Sequence, residues 1–266
     1  MTNGGEAPGD GSAGSMGSAG SSGGASTAGT GGAANGGTGG DTKCALEICN
    51  GHDDDCNGVV DEGCPSALLR AAVTSGPTIG ESTGGGPYSA TCASDELLVG
   101  LQVGFSNWLE QVNAKCEQFS LAVDKTSTPY EYSVALGSSH LLAPYPPTTS
   151  DTTQALNCPS GKVLVGFSIA QQHTLPTFTP DYIVITSIAG KCADLVLDLT
   201  SAPPKLHWKN ATNIGPISGA FYDSALATTQ SLLLDTNQIS VGYQGKAGLW
   251  VDRIGPIVSS VQLVSQ

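Results

Sequence analysis

Val99-Gly100-Leu101-Gln102, running through Trp108-Leu109-Glu110-Gln111-Val112 to Cys116, lies without a gap over Val241-Gly242-Tyr243-Gln244, through Trp250-Val251-Asp252-Arg253-Ile254, to Val258. A third copy begins at Val165-Gly166-Phe167-Ser168, carries an insertion, and rejoins at Ile188 and Cys192. A unit repeated three times implies one supersecondary structure repeated three times, each copy burying its apolar face against the others. The cysteines follow the same columns. Cys92 and Cys116 in copy one correspond to Cys158 and Cys192 in copy two, and to Leu234 and Val258 in copy three. Positions that are cysteine together or aliphatic together are expected to be neighbours, so Cys92 is paired with Cys116 and Cys158 with Cys192. Buried free thiols are the alternative, and disulfides fit an exported chain better.

Each copy reads as strands. Leu97, Val99, Leu101 and Val103 alternate with Leu98, Gly100 and Gln102, a period of two that predicts a half-buried antiparallel strand. Gly100, Gly166 and Gly242 share a column where a bulge or a neighbouring backbone excludes a side chain. Second strands are expected at Leu109–Val112, Tyr182–Ile188 and Leu249–Ile257, and third strands at Cys116–Val123, Cys192–Leu199 and Ser259–Val264. Fourth strands follow at Tyr130–Leu136 and Lys205–Trp208, and Arg70–Thr74 is expected to close copy three from the N-terminal side. No segment has helical periodicity. Three four-stranded units around a pseudo-threefold axis leave no long free edge.

The rest of the 266-residue chain is organised differently. Residues 1–43 are almost wholly Gly, Ser, Ala, Thr and Asn and are expected to form a disordered tether. Residues 44–64 form a short cysteine-rich acidic segment, and residues 65–266 hold the repeats. The net charge of −13 disfavours nucleic acid. No stretch is apolar enough to span a membrane, and Met1-Thr2-Asn3-Gly4-Gly5 does not resemble a signal peptide. Eight cysteines nevertheless point to an oxidising compartment. The expected location is therefore extracellular or at the cell surface, lipid-anchored or free, with the export signal outside this sequence.

In the acidic segment, oxygens fall at alternate positions from Asp53: Asp55, Asn57 and, further on, Asp61. Gly58 stands where a calcium loop turns sharply, and Val59 can offer its carbonyl. Hard oxygen donors select Ca²⁺ over zinc or copper. Cys64 occupies the place of the usual bidentate glutamate, for which Glu62 is the candidate substitute. Cys44, Cys49, Cys56 and Cys64 allow three pairings, left open by the sequence. A disulfide-stapled acidic spacer without bound metal is the alternative, and a zinc site of four thiolates a lesser one.

Cys49-Asn-Gly-His-Asp53-Asp54-Asp55-Cys56-Asn57-Gly58-Val-Val-Asp61-Glu62 resembles the short Asp-Asp-Asp-Cys motif of the MopE family of bacterial surface proteins, a motif named for metal binding. Cys158-Pro-Ser-Gly-Lys-Val-Leu-Val-Gly-Phe-Ser168, ending at Cys192, resembles vitelline membrane outer layer protein I. Gly245-Lys-Ala-Gly248-Leu249-Trp250-Val251-Asp252-Arg-Ile-Gly255 resembles the Gly-x-x-x-Asp stretch of jacalin-type lectins. Both families have the β-prism I fold, three Greek-key four-stranded sheets, so the resemblance implies that all-β architecture for residues 65–266.

The lectin resemblance also implies a sugar site at Gly248, Leu249, Trp250 and Asp252, completed by the glycine-rich loop Gly84-Gly85-Gly86. A carboxylate can accept charge-assisted hydrogen bonds from two sugar hydroxyls, and an indole can stack on a pyranose face. Copy one has Ser106, Trp108 and Glu110 in these columns, so any second site there is altered, and copy two has Thr186 opposite Asp252, so none is expected there. The plainer alternative is that the two tryptophans pack together and that Asp252 only satisfies turn amides or faces Arg253. No nucleophile, HExxH, phosphate-loop or dinucleotide motif is present, and the four histidines are scattered. The reading is a non-enzymatic glycan- or polysaccharide-binding surface protein. The alternative is a structural coat protein of the same fold without a sugar ligand.

Overall fold

The computed structural model describes residues 44–147, 150, 152–174, 181–199 and 204–265. The tether expected over 1–43 lies outside the described residues. So do 175–180 of the copy-two insert and 148, 149 and 151 of the other proline-rich insert. Cys44–Gln266 forms one compact unit.

Among the described residues there are fifteen strands and no helix. The N-terminal strands are β1 (Pro65–Arg70), β2 (Thr74–Ser75), β3 (Ile79–Gly80) and β4 (Gly86–Thr91). Copy one contributes β5 (Glu96–Phe105), β6 (Leu109–Asp124) and β7 (Glu131–Leu141), followed by β8 (Thr152–Asn157). Copy two contributes β9 (Lys162–His173), β10 (Ile183–Asp198) and β11 (Lys205–Ser218), followed by β12 (Thr228–Leu233). Copy three contributes β13 (Ile239–Ala247) and β14 (Val251–Ser259), and β15 (Val261–Ser265) ends the chain.

The strands make three sheets. The first has the order β7-β6-β5-β8, and the second β1-β15-β11-β10-β9-β12. The third has the order β2-β14-β13-β4, with β3 also on β14. This is the β-prism I arrangement, and each sheet is completed by a strand from outside its own copy. The strand before copy two, β8, pairs with β5 of copy one. The strand before copy three, β12, pairs with β9 of copy two. The strand before copy one, β4, pairs with β13 of copy three and closes the circle. One hydrogen bond repeats at each junction. Cys158 N–H donates to Val99 O at 2.8 Å, Leu234 N–H to Val165 O at 3.0 Å and Cys92 N–H to Val241 O at 2.8 Å.

That exchange explains the glycine column. A Cβ placed on Gly166 would lie 2.3 Å from Leu232 O, and one on Gly242 2.3 Å from Ala90 O. The entering strand comes so close that only a bare backbone fits. Both expected disulfides form, Cys92–Cys116 and Cys158–Cys192, while Leu234 and Val258 are buried in copy three.

Three expectations are corrected. The second and third strands of copies one and two are not separate: β6 and β10 each run unbroken for 16 residues. Nor are the first strands half-buried. Leu97 and Val99 join one core cluster with Val163, Val165, Ile239 and Val241, while Leu98, Leu101 and Val103 join another with Leu164, Phe167 and Tyr243. A register shift between Leu98 and Gly100 adds one residue against β6. The shift reverses which parity faces which core, and both faces are covered. Finally, only Thr74 of the segment Arg70–Thr74 reaches copy three, in β2, so the edge lies a few residues later than expected. β2 and β3 pair with β14, while β1 pairs with β15, which leaves the third sheet after Ser259 to join the second.

Candidate functional site

The turn between β13 and β14 is tight: Gly248 N–H donates to Trp250 O at 3.0 Å. It delivers Asp252, second residue of β14, to the end of the prism with only 6% of its surface exposed. The loop between β3 and β4 presses on this carboxylate. A Cβ on Gly84 would fall 2.2 Å from Asp252 Cγ. Gly85, at φ +33°, lies over the turn, where a Cβ would be 2.1 Å from the Ala247 carbonyl carbon. Gly84 and Gly85 therefore have to be glycine, whereas nothing lies within 4 Å of a Cβ on Gly86. Glu81 N–H donates to Asp252 O at 2.9 Å, and Lys246 Nζ donates to Ser82 O at 2.7 Å, fixing the loop.

A pocket of about 290 Å³ opens at Asp252. Glu81, Thr83 and Gly84 line one side, and His173, Asp181, Tyr182 and Ile183 the other. The second side belongs to copy two, at the two ends of its insertion. His173 Nδ1 lies 2.7 Å from Asp181 Oδ2, and Thr174 Oγ1 donates to Asp181 Oδ1 at 3.1 Å. The bond to His173 is the main cause holding Asp181 below the usual carboxylate range. Asp252 shifts the other way. Burial pushes its carboxyl up, the Trp250 indole N–H donating to it works against that, and Glu81 adds repulsion.

Trp250 stands in a row of edge-to-face rings joining all three copies. Its centroid is 5.5 Å from Tyr182 and 5.2 Å from Trp108, and Trp108 lies 6.1 Å from Phe221. The two tryptophans of the shared column thus pack together, while Trp250 also serves Asp252. Leu249 projects from the turn, 78% exposed. Asp252 makes no ion pair with Arg253, which follows it on the opposite face of β14. In copy one, Ser106 hydrogen-bonds Glu110, so a hydroxyl covers the carboxylate where copy three has Gly248. In copy two, Thr186 is fully buried and donates to Ala170 O at 3.3 Å.

The acidic segment is stapled by Cys44–Cys56 and Cys49–Cys64. It docks on the turn between β6 and β7, where Tyr130 N–H donates to Cys49 O at 2.7 Å. Carboxylate oxygens of Asp53, Asp55 and Glu47 lie within 4.8 Å of one another. Asp61 is placed differently, its Oδ1 accepting from Asn50 and Gly51 N–H at 2.8 and 2.9 Å. Asn57 donates to Asp55 and to Glu62, and Val59 is exposed.

Glu47 could not be found from the alternating pattern, because it precedes the loop and reaches back into it, accepting from Asp54 and Asp61 N–H. Glu81, His173 and Asp181 were also missed at the pocket. The only sequence signals for them were the neighbouring glycines and the insertion in copy two.

No protein-family model matches the chain, and no curated protein matches it. Solved structures do. Calystegia sepium agglutinin is similar at 16% identity and TM-score 0.39, over 73% of this chain and 95% of that one. A mannose-specific jacalin-related lectin from Morus nigra in complex with mannose is similar at 16% identity and TM-score 0.41, over 71% and 96%. Frutapin, a lectin from Artocarpus incisa, is similar at 15% identity and TM-score 0.40, over 73% and 99%.

Proposed function

We propose that this chain is a non-catalytic carbohydrate-binding protein whose site is the Asp252 pocket. The observation that carries this reading is a mostly buried carboxylate at the mouth of a 290 Å³ pocket, with the Gly84–Gly85 backbone against it. That volume is near the lower end for small-ligand sites, ~300 Å³, and suits one sugar residue or a chain end. The carboxylate accepts from two neighbouring sugar hydroxyls, which are charge-assisted bonds. Trp250 is held edge-to-face by Trp108 and Tyr182 beside Asp252. The other pocket carboxylates are engaged: Glu81 accepts from Ser82 and Thr83 N–H, and Asp181 is bonded to His173 and Thr174. Neither is free to act with Asp252 as the carboxylate pair of glycoside hydrolysis. A glycan array probed with the full chain and with Asp252→Asn tests the reading, and equal signal from both removes it.

In the same reading the acidic segment binds Ca²⁺ through Glu47, Asp53 and Asp55, with Gly58 at φ +93° making the sharp turn. Asn57 and Glu62 lie at its edge, and Asp61 supports the loop backbone. Four disulfides support the reading of an oxidising, extracellular or surface compartment, in which residues 1–43 would serve as tether. Among the described residues no helix is long and apolar enough to cross a membrane. Calorimetric titration of the full chain with Ca²⁺ is expected to give saturable heat. At a free-ion level of about a hundred times Kd, stability rises by about 2.7 kcal/mol. Asp53→Asn with Asp55→Asn removes both effects, and glycan binding survives EDTA because no calcium ligand lines the Asp252 pocket. Absence of heat and of any Tm change at saturating Ca²⁺ contradicts the calcium assignment.

A further inference from the structure

On the outer face of the third sheet lies an open groove of about 570 Å³, larger than the Asp252 pocket and lined by no carboxylate. Its charged residues are Lys246 and Arg253, directly opposite each other on β13 and β14. Like charges in that register repel and destabilise a sheet. The chain has ten Lys and Arg against 23 Asp and Glu, yet neither of these two is in an ion pair among the described residues. Arg253 Nε is shut off from solvent and has no acceptor. Between them the strands are packed tight at Gly245, where a Cβ would lie 1.9 Å from Arg253 O and 2.9 Å from the Tyr88 hydroxyl. A facing pair of cations outside any ion pair, in a groove lined by no carboxylate, is complementary to an oxyanion.

The groove adjoins the Asp252 pocket through one loop. Lys246 donates to Ser82 O, and Ser82 sits between Glu81 and Gly84, which line the pocket. We propose that Lys246 and Arg253 form an anionic subsite, so that the ligand is an acidic polysaccharide with hydroxyls at Asp252 and a carboxylate or sulfate ester in the groove. This inference rests on the glycan reading of Asp252 and extends its specificity.

The test is binding of the full chain to immobilised polygalacturonate, dextran sulfate and neutral dextran, at low and high salt. The wild-type protein is expected to retain polygalacturonate, dextran sulfate or both in preference to neutral dextran, and the preferred polymer identifies the anion. Lys246→Gln and Arg253→Gln should each weaken acidic-polymer binding by about tenfold. Neutral ligands found on a glycan array keep their affinity in Arg253→Gln and lose it in Asp252→Asn, which separates failure of this subsite from failure of the sugar site; Lys246→Gln also removes the bond to Ser82 O, so it is read as the ratio of acidic-polymer to neutral-glycan binding. Lys205→Gln with Lys209→Gln, a larger charge change on the second sheet, is expected to have little effect. Arg253 is partly buried, so the fall in that ratio for Lys246→Gln decides should the arginine variant not fold. No retention of either acidic polymer, or equal weakening by the second-sheet variant, overturns the proposal.

Discussion

Asp252→Asn is expected to lower glycan affinity at least about a hundredfold, on the order of 3 kcal/mol, because two charge-assisted acceptors become one neutral carbonyl and one misdirected donor. The same substitution should not lower Tm. Burial raises the Asp252 pKa above its ordinary value, so the native state holds a proton that the unfolded chain releases. Stability therefore falls as pH rises from the ordinary aspartate range through the raised value, and the deficit is fully present above it. Below that range both states are protonated and the deficit disappears. The Tm of Asp252→Asn should thus match wild type in acid and equal or exceed it at neutral pH. Sugar binding has the opposite requirement. It needs the ionised acid, so affinity should fall with acidification, starting at a higher pH than an exposed aspartate would give. Isothermal titration across a pH series, with thermal melts on the same samples, checks both. A large loss of Tm at neutral pH would instead make Asp252 a structural residue of the turn.

The second large effect concerns the copies held by disulfides. Removing Cys158–Cys192, which spans 34 residues, or Cys92–Cys116, which spans 24, should cost about 3–4 kcal/mol each on chain entropy. For a domain of this size that corresponds to a Tm loss on the order of 10 °C. Cys92, Cys116 and Cys192 are at most 2% exposed, so paired alanines also lose packing. Copy three supplies the control. Leu234 and Val258 occupy the equivalent positions, 5% and 3% exposed, without a covalent bond. Cys92→Leu with Cys116→Val should therefore cost less than the alanine pair. Denaturant titrations of the two double variants measure the difference, and a cost below about 1 kcal/mol for either disulfide contradicts the loop-closure account.

The closed three-sheet architecture was legible because its constraints fall on single columns. Gly100, Gly166 and Gly242 mark where an entering strand touches backbone, and the cysteine columns mark which positions meet. The strand boundaries were less legible. Asn113 and Lys115 interrupt the apolar pattern between Val112 and Cys116, yet β6 runs through them, since Asn113 is buried and Lys115 pairs across to Leu141. The parity reversal at Gly100 was hidden because both cores are built from the same Leu and Val side chains, so alternation could not distinguish them. The third sheet's N-terminal edge was misplaced by a few residues because β2 and β3 are two residues long.

At the site, the residues contributed by one turn and one glycine loop could be read from their motifs. His173, Asp181 and Tyr182 could not, because copy two brings them to copy three only through closure of the prism. The acidic segment divides in the same way. Asp53 and Asp55 follow from their spacing, whereas Glu47 follows only from how Cys44–Cys56 folds the chain back.

The most direct test uses the three tryptophan side chains as reporters in ¹⁵N-labelled protein. Trp250 adjoins Asp252 and counters the rise in its pKa, Trp108 packs on Trp250, and Trp208, in the other core cluster, donates to Asp235 O. Titration with a glycan selected on an array is expected to shift the Trp250 indole signal most, Trp108 less and Trp208 not at all, with the amides of Gly84, Gly85 and Gly248 moving together. Saturation that leaves Trp250 and these glycines unmoved while resonances elsewhere shift would contradict the assignment of Asp252 as the centre of recognition.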